Sequence, residues 1–174
     1  MDCALMDSND RDARFEKWLD LYATTILRMS IIYLNDVALA EAATQEAFLK
    51  AHHHMVLLKD NAAAGEKACL MRIAVHICRK YWRAGRLRSI GRYKAMELPN
   101  LSLAALAGQR RELLKAIMGL PARHKEVVLL SHYQDMTMED VGKILRLSKP
   151  AVQLRLKTAM EKIRSKLERW YFDE

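Results

Sequence analysis

Apolar residues recur at steps of three or four along almost the whole chain, and that spacing restricts it to helices. Phe15, Leu19, Tyr22, Ile26, Met29 and Tyr33 follow this rule, which predicts one long helix over roughly 11–34. Asn35-Asp36 can cap a second helix from Val37 to about Met55, with Val37, Ala40, Thr44, Phe48 and Ala51 turned inward. The stretch "LKDNAAAGE" (58–66) reads as a loop, and a third helix is expected from about Lys67 to Arg83. Further helices are expected over roughly 103–118, 122–133, 138–145 and 149–168, the first stopped by Gly119 with Pro121 beyond it. No strand alternation is convincing, and only six Gly and three Pro interrupt 174 residues. Between the two sets of helices, "RAGRLRSIGRYKAMELPNLS" (83–102) loses the periodicity and mixes Gly, Pro, Ser and basic residues. The expected fold is all-α: two small helical domains, 1–83 and 103–174, joined by a linker at 84–102.

Composition narrows the function classes. Three irregularly spaced cysteines offer no disulfide framework and fit a reducing compartment. The opening "MDCALMDSNDRD" is acidic and polar, unlike a signal peptide, and no window approaches the ~18 apolar residues of a membrane span. A cytoplasmic location without membrane insertion is therefore expected. Charge is unevenly placed: residues 1–65 carry net −4, residues 66–94 net +8 and residues 95–174 net +4. An acidic first part followed by a basic stripe suggests at least two partners, one of them polyanionic.

The segment "DMTMEDVGKILRLSKPAVQLRLKTAMEKIRSKL" (135–167) has the form of a helix-turn-helix. Thr137 can cap a short helix whose Val141, Ile144 and Leu145 face inward, and Gly142 is small where two helices must approach closely. Ser148 can cap the next helix, and Pro150 is tolerated in its first turn. Val152, Leu156, Ala159, Ile163 and Leu167 form that helix's buried stripe. Its outer side carries Lys149, Gln153, Arg155 and Lys157. Gln153 can pair bidentately with adenine and Lys157 can reach guanine or a phosphate, while Lys149 and Arg155 suit phosphate anchoring. Such a helix is the part that enters a DNA major groove.

"ACLMRIAVHICRKYWRAGR" (68–86) admits three readings: metal, nucleic acid or a solvated basic face. At about 100° per residue, Leu70, Ile73, Ala74, Ile77, Cys78 and Tyr81 share one face. Arg72, His76, Arg79, Lys80 and Arg83 share the opposite one, and Met71, Val75 and Trp82 line a border. Cys69 and Cys78 lie half a turn out of phase, and successive residues of "HHH" (52–54) splay apart, so no metal site is expected. A solvated face usually mixes charge signs, yet no acid stands between Glu66 and Glu97. Trp82, expected to be exposed beside Arg79 and Arg83, adds a stacking surface for unpaired bases. Nucleic acid is the better reading.

These segments together resemble the bacterial extracytoplasmic-function (ECF) sigma factors over nearly the full length. The resemblance is carried by "AEAATQEAFLKA" (40–51), "CLMRIAVHICRKYWR" (69–83), "LPARHKEVVLLSHYQDMTMEDVGKIL" (120–145) and "SKPAVQLRLKTAMEKIRSKL" (148–167), in that order. It implies that Gln45 and Glu46, with Glu41 a turn earlier, dock on the β′ clamp helices of core RNA polymerase. It implies that Arg72, His76, Arg79, Lys80, Trp82 and Arg83 hold the −10 strand, with the loop at 58–66 taking a flipped base. It implies that Lys149, Gln153, Arg155 and Lys157 read the −35 element in promoter DNA, that the second domain touches the β flap, and that an anti-sigma factor regulates the chain.

The chain departs from the family pattern at several positions. Ala42 replaces an acid before the Gln, Cys69 replaces the Trp opening the third helix, and His76 and Lys80 replace Asn and Asp. Arg146 replaces the turn Gly, and Pro150-Ala151 replaces Gly-Thr. The expected function is a promoter-specificity subunit, not an enzyme, with no cofactor. A stand-alone helix-turn-helix regulator and a helical adaptor without DNA function are the rivals. A repressor needs no basic-aromatic helix in a separate domain, which speaks against the first.

Overall fold

The computed structural model describes residues 8–55, 63–88 and 108–172, and these are helical with no strand among them. The order is α1 (Ser8–Leu34), α2 (Val37–Met55), α3 (Ala63–Arg88), α4 (Gly108–Met118), α5 (Ala122–Val128), α6 (Met138–Leu145) and α7 (Lys149–Phe172). A π turn, Leu129–Tyr133, prolongs α5. The end of α1 is fixed locally: Asn35 takes a left-handed φ of 55°, and Asp36 Oδ1 accepts from the Leu39 N–H at 2.9 Å to start α2.

The helical spacing of the sequence is realised with shifts at some ends. α3 begins at Ala63 and ends at Arg88, so residues 63–66, expected in a loop, and 84–88, expected in the linker, are helical. Ala63 and Ala64, both strong helix formers, offset the one Gly beside them. The rest of the expected loop, the remainder of the linker and the expected helix start at 103–107 lie outside the described residues.

One apolar core runs through both halves. Trp18, Ile26, Met29 and Ile32 of α1 meet Ala47, Phe48 and Ala51 of α2 and Leu70, Met71, Ala74 and Ile77 of α3. The same cluster continues into Val127, Leu129, Leu130, Val141, Ile144 and Val152. A smaller cluster, with Ala116, Leu120, Val128, Ala159 and Ile163, ties α4 and α5 to α7. Each large buried side chain contributes about 1.5–3 kcal/mol, so the seam between the halves is apolar as well as polar. Met71 and Val75, expected along a border, are buried, and α3 packs against α6 as well as α1 and α2.

The start of α3 is held by Glu66. Its carboxylate accepts from both Arg14 Nε (2.7 Å) and Arg14 Nη2, and from Trp18 Nε1 at 3.0 Å. An acid in a first helical turn also suits the helix dipole.

Candidate nucleic-acid interface

The helix-turn-helix is built by local rules. Thr137 Oγ1 accepts from the Asp140 N–H at 3.1 Å and donates to Asp140 Oδ2 at 2.7 Å, closing the start of α6. α6 ends at Arg146 with φ 57° and ψ 51°, a left-handed residue where Gly is the usual choice. Three residues later α7 starts, with Ser148 Oγ accepting from the Ala151 N–H at 3.4 Å. Gly142 makes the turn possible: a Cβ there would lie 2.7 Å from the Leu147 carbonyl oxygen. The close approach expected of this glycine is therefore to the turn backbone itself.

On α7, Gln153 and Lys157 are exposed and Arg155 is half-buried. Lys149 Nζ lies 2.6 Å from Glu139 Oε1 of α6, which holds the Glu139 carboxyl below its ordinary range. Leu154, 66% exposed between these polar groups, is a residue the sequence reading passed over.

On α3, Arg72, His76, Lys80 and Arg83 form an exposed basic face. Trp82 departs from expectation: it is half-buried and packs against the core instead of standing free. Cys69 and Cys78 are both buried, and Cys78 Sγ donates to Ser30 Oγ at 3.4 Å. Burial pushes the Cys78 thiol up to about 11. Among the described residues no three His, Cys, Asp or Glu side chains group as metal ligands.

α2 adjoins this face. Glu41, Gln45 and Leu49 follow one another along its exposed side, and Leu49 is 62% exposed, an apolar neighbour that the sequence reading left out. Glu46, half-buried, joins the two helices: Lys80 Nζ bonds its Oε1 at 2.9 Å and Lys50 Nζ lies 3.2 Å away. The Lys80 bond holds the Glu46 carboxyl below its ordinary range.

Arg79 has a different environment. It donates from Nε and Nη2 to Glu126 Oε1 and Oε2 of α5, at 2.7 and 2.6 Å. Tyr33 of α1 donates to Glu126 Oε1 at 2.7 Å, and Lys125 Nζ donates to the Tyr33 carbonyl at 3.1 Å. Glu126 is 3% exposed in its side chain, Arg79 34%. Burial and Glu126 push the Tyr33 hydroxyl up, while burial pulls the Lys125 ammonium down to about 8. This polar cluster was missed from the sequence. The available signal was "KEVVLL" (125–130), a charged pair abutting an apolar run too long for one helix face.

Residues 116–165 match the family model Sigma-70, region 4, which spans α5, α6 and most of α7. The chain is 23% identical over 153 residues to "RNA polymerase sigma-E factor" of Streptomyces coelicolor, covering 88% of this chain and 85% of that one. In fold it is similar to CnrH, solved in complex with the cytosolic domain of CnrY, with a TM-score of 0.67 at 18% identity over 91% of this chain and 90% of CnrH. It is similar also to the sigma factor RpoE, solved with the anti-sigma factor NepR from Bartonella quintana. That TM-score is 0.69 at 18% identity, over 89% of this chain and 97% of the other. A capped helix-turn-helix thus lies inside a match to Sigma-70, region 4, and the chain as a whole is similar, over most of its length, to relatives named RNA polymerase sigma-E factor.

Proposed function

We propose that this chain works in the cytoplasm, binds core RNA polymerase, directs it to −10 and −35 promoter elements and assists strand opening. Residues 1–83 act as the region 2-like part and 103–174 as the region 4-like part, joined through 84–102. Glu41, Gln45 and Glu46 dock on the β′ clamp helices. Arg72, His76, Arg79, Lys80, Trp82 and Arg83 hold the −10 strand, and Lys149, Gln153, Arg155 and Lys157 engage the −35 duplex. The region 4-like part also touches the β flap.

The observation that carries this reading is the adjacency of the first two surfaces, since Glu46 and Lys80 are in direct contact across α2 and α3. A strand held on α3 would lie beside the polymerase surface that receives α2. Melting needs a face that holds a single strand better than the duplex, and basic groups combined with aromatic carbon supply that preference. His76 and Lys80 offer donors where the family usually offers Asn and Asp, which changes the preferred −10 sequence.

The chain needs no catalytic group or cofactor for this work, because the polymerase performs the chemistry. An anti-sigma factor is its proposed regulatory partner. Co-purification with core polymerase followed by run-off transcription tests the reading. A stand-alone regulator would bind duplex DNA but not core, and an adaptor would bind neither.

A further inference from the structure

We propose that Leu154 is a specificity-determining residue of this chain, reading the C5-methyl group of one thymine in the −35 duplex. This assignment rests on the function proposed above, and adds an apolar contact to the four polar ones named there.

Among the described residues Leu154 is the most exposed of the large apolar side chains, at 66%. Its place on α7 is what gives that exposure meaning. At about 100° per residue, Val152, Ala159 and Ile163 mark the buried line of the helix, and Leu154 stands about 160° from it. Pro150 and Lys157 flank it on the outermost line and Gln153 lies to one side, all of them exposed. Thr158, one turn later, donates its hydroxyl to the Leu154 carbonyl at 3.0 Å, so that polar group is engaged by the helix itself. Leu154 falls in the second turn of α7, and the early residues of the second helix of a helix-turn-helix are those that reach base edges.

The chemistry of the groove selects the ligand. Base edges in the major groove present donors and acceptors, and thymine alone adds a methyl group. A leucine gains by covering that methyl and offers nothing to a donor or acceptor, so it favours thymine and leaves the polar groups of other bases unmet. A protein partner suits the surroundings less well. A protein-binding patch joins several apolar side chains, whereas Gln153, Arg155 and Lys157 stand around Leu154, and two of these are cations. Cations beside the reading residue suit the phosphates that border a groove. Glu161, also exposed, falls on the same outermost line about 10 Å farther along α7. An acid there repels phosphates, which confines the DNA contact to the first turns, where Leu154 lies.

The probes are promoter duplexes obtained by mapping start sites with core polymerase and the full chain. Each thymine of the upstream element, on either strand, is replaced in turn by deoxyuridine, which keeps the base pair and removes only the methyl group. Competition binding is measured with polymerase carrying the wild type, Leu154→Ala or Leu154→Met. One replacement should weaken the wild type about fourfold, the effect of a single methyl no longer taken out of water. The same replacement should leave Leu154→Ala unaffected, while Leu154→Met, still apolar at its end, should keep most of the discrimination. No thymine with this effect, or an equal loss in the wild type and Leu154→Ala, would overturn the assignment. A Leu154→Ala variant whose only defect is weaker core binding would overturn it as well, marking a protein contact instead. If the chain neither binds core nor yields a start site, the functional reading fails. The same scan on duplexes selected from a random pool by the chain alone then decides the thymine contact, and failure to select any duplex overturns it too.

Discussion

Lys80 Nζ of α3 sits 2.9 and 3.1 Å from the two carboxylate oxygens of Glu46 on α2, so the proposed strand-holding and polymerase-docking faces meet at one ion pair. The pair is exposed on the lysine side, and exposed pairs contribute little to stability. Its consequence is positional: the lysine is shared between Glu46 and any phosphate that approaches α3.

Lys80→Met should therefore leave the melting temperature close to wild type and the affinity for core polymerase undiminished. Binding of a single-stranded oligonucleotide should weaken, and its salt slope should fall by about 0.7. Titration by fluorescence anisotropy at several salt concentrations checks both, and an unchanged slope would remove Lys80 from the strand-holding face.

Gly142→Ala should destabilise the helix-turn-helix by about 1–3 kcal/mol, the usual cost of forcing a methyl into filled space. The obstacle is the Leu147 carbonyl at 2.7 Å, a backbone atom that cannot rotate away. Urea unfolding of the two proteins measures the difference.

Arg146→Gly should act in the opposite direction, stabilising by about 1 kcal/mol. It removes the left-handed strain of an L side chain at φ 57° and gives back part of that gain through unfolded-chain entropy. Loss of stability in this variant would mean that the Arg146 side chain contributes more than its backbone costs.

Lys125 gives a pH signature. Its ammonium titrates near 8 in the fold against an ordinary 10.5. Between these values the unfolded chain holds a proton that the folded chain has released. Its contribution to stability is thus absent below pH 8, grows as pH rises and is complete above 10.5. Relative to Lys125→Met, the wild type should gain on the order of 3 kcal/mol across that window. Using the difference between the two proteins cancels the opposing titration of Cys78, and a difference that stays flat with pH would contradict the assignment.

Features fixed by neighbouring residues were legible in the sequence. Asp36 starts α2 and Thr137 starts α6 at the expected positions, because a cap is a contact within three residues. The sorting of α3 into apolar and basic faces followed from its period alone. What escaped were contacts between distant helices. Nothing in the period of α3 reveals that α6 packs on it, so Met71 and Val75 read as a border and Trp82 as free. Lys125 and Glu126 carry no local mark of their burial, since it depends on Tyr33 and Arg79, 92 and 47 residues away. The Lys80–Glu46 contact was likewise invisible, although both residues had been singled out for separate tasks.

The central claim is initiation through core polymerase, and one measurement tests it most directly. Core enzyme is mixed with wild type or with Gln45→Ala, Glu46→Ala, and start sites are mapped on a pool of genomic fragments. The account predicts discrete starts with the wild type, a loss of at least tenfold with the double variant, and unchanged duplex binding by that variant. Absence of core binding and of any discrete start with the wild type would contradict it.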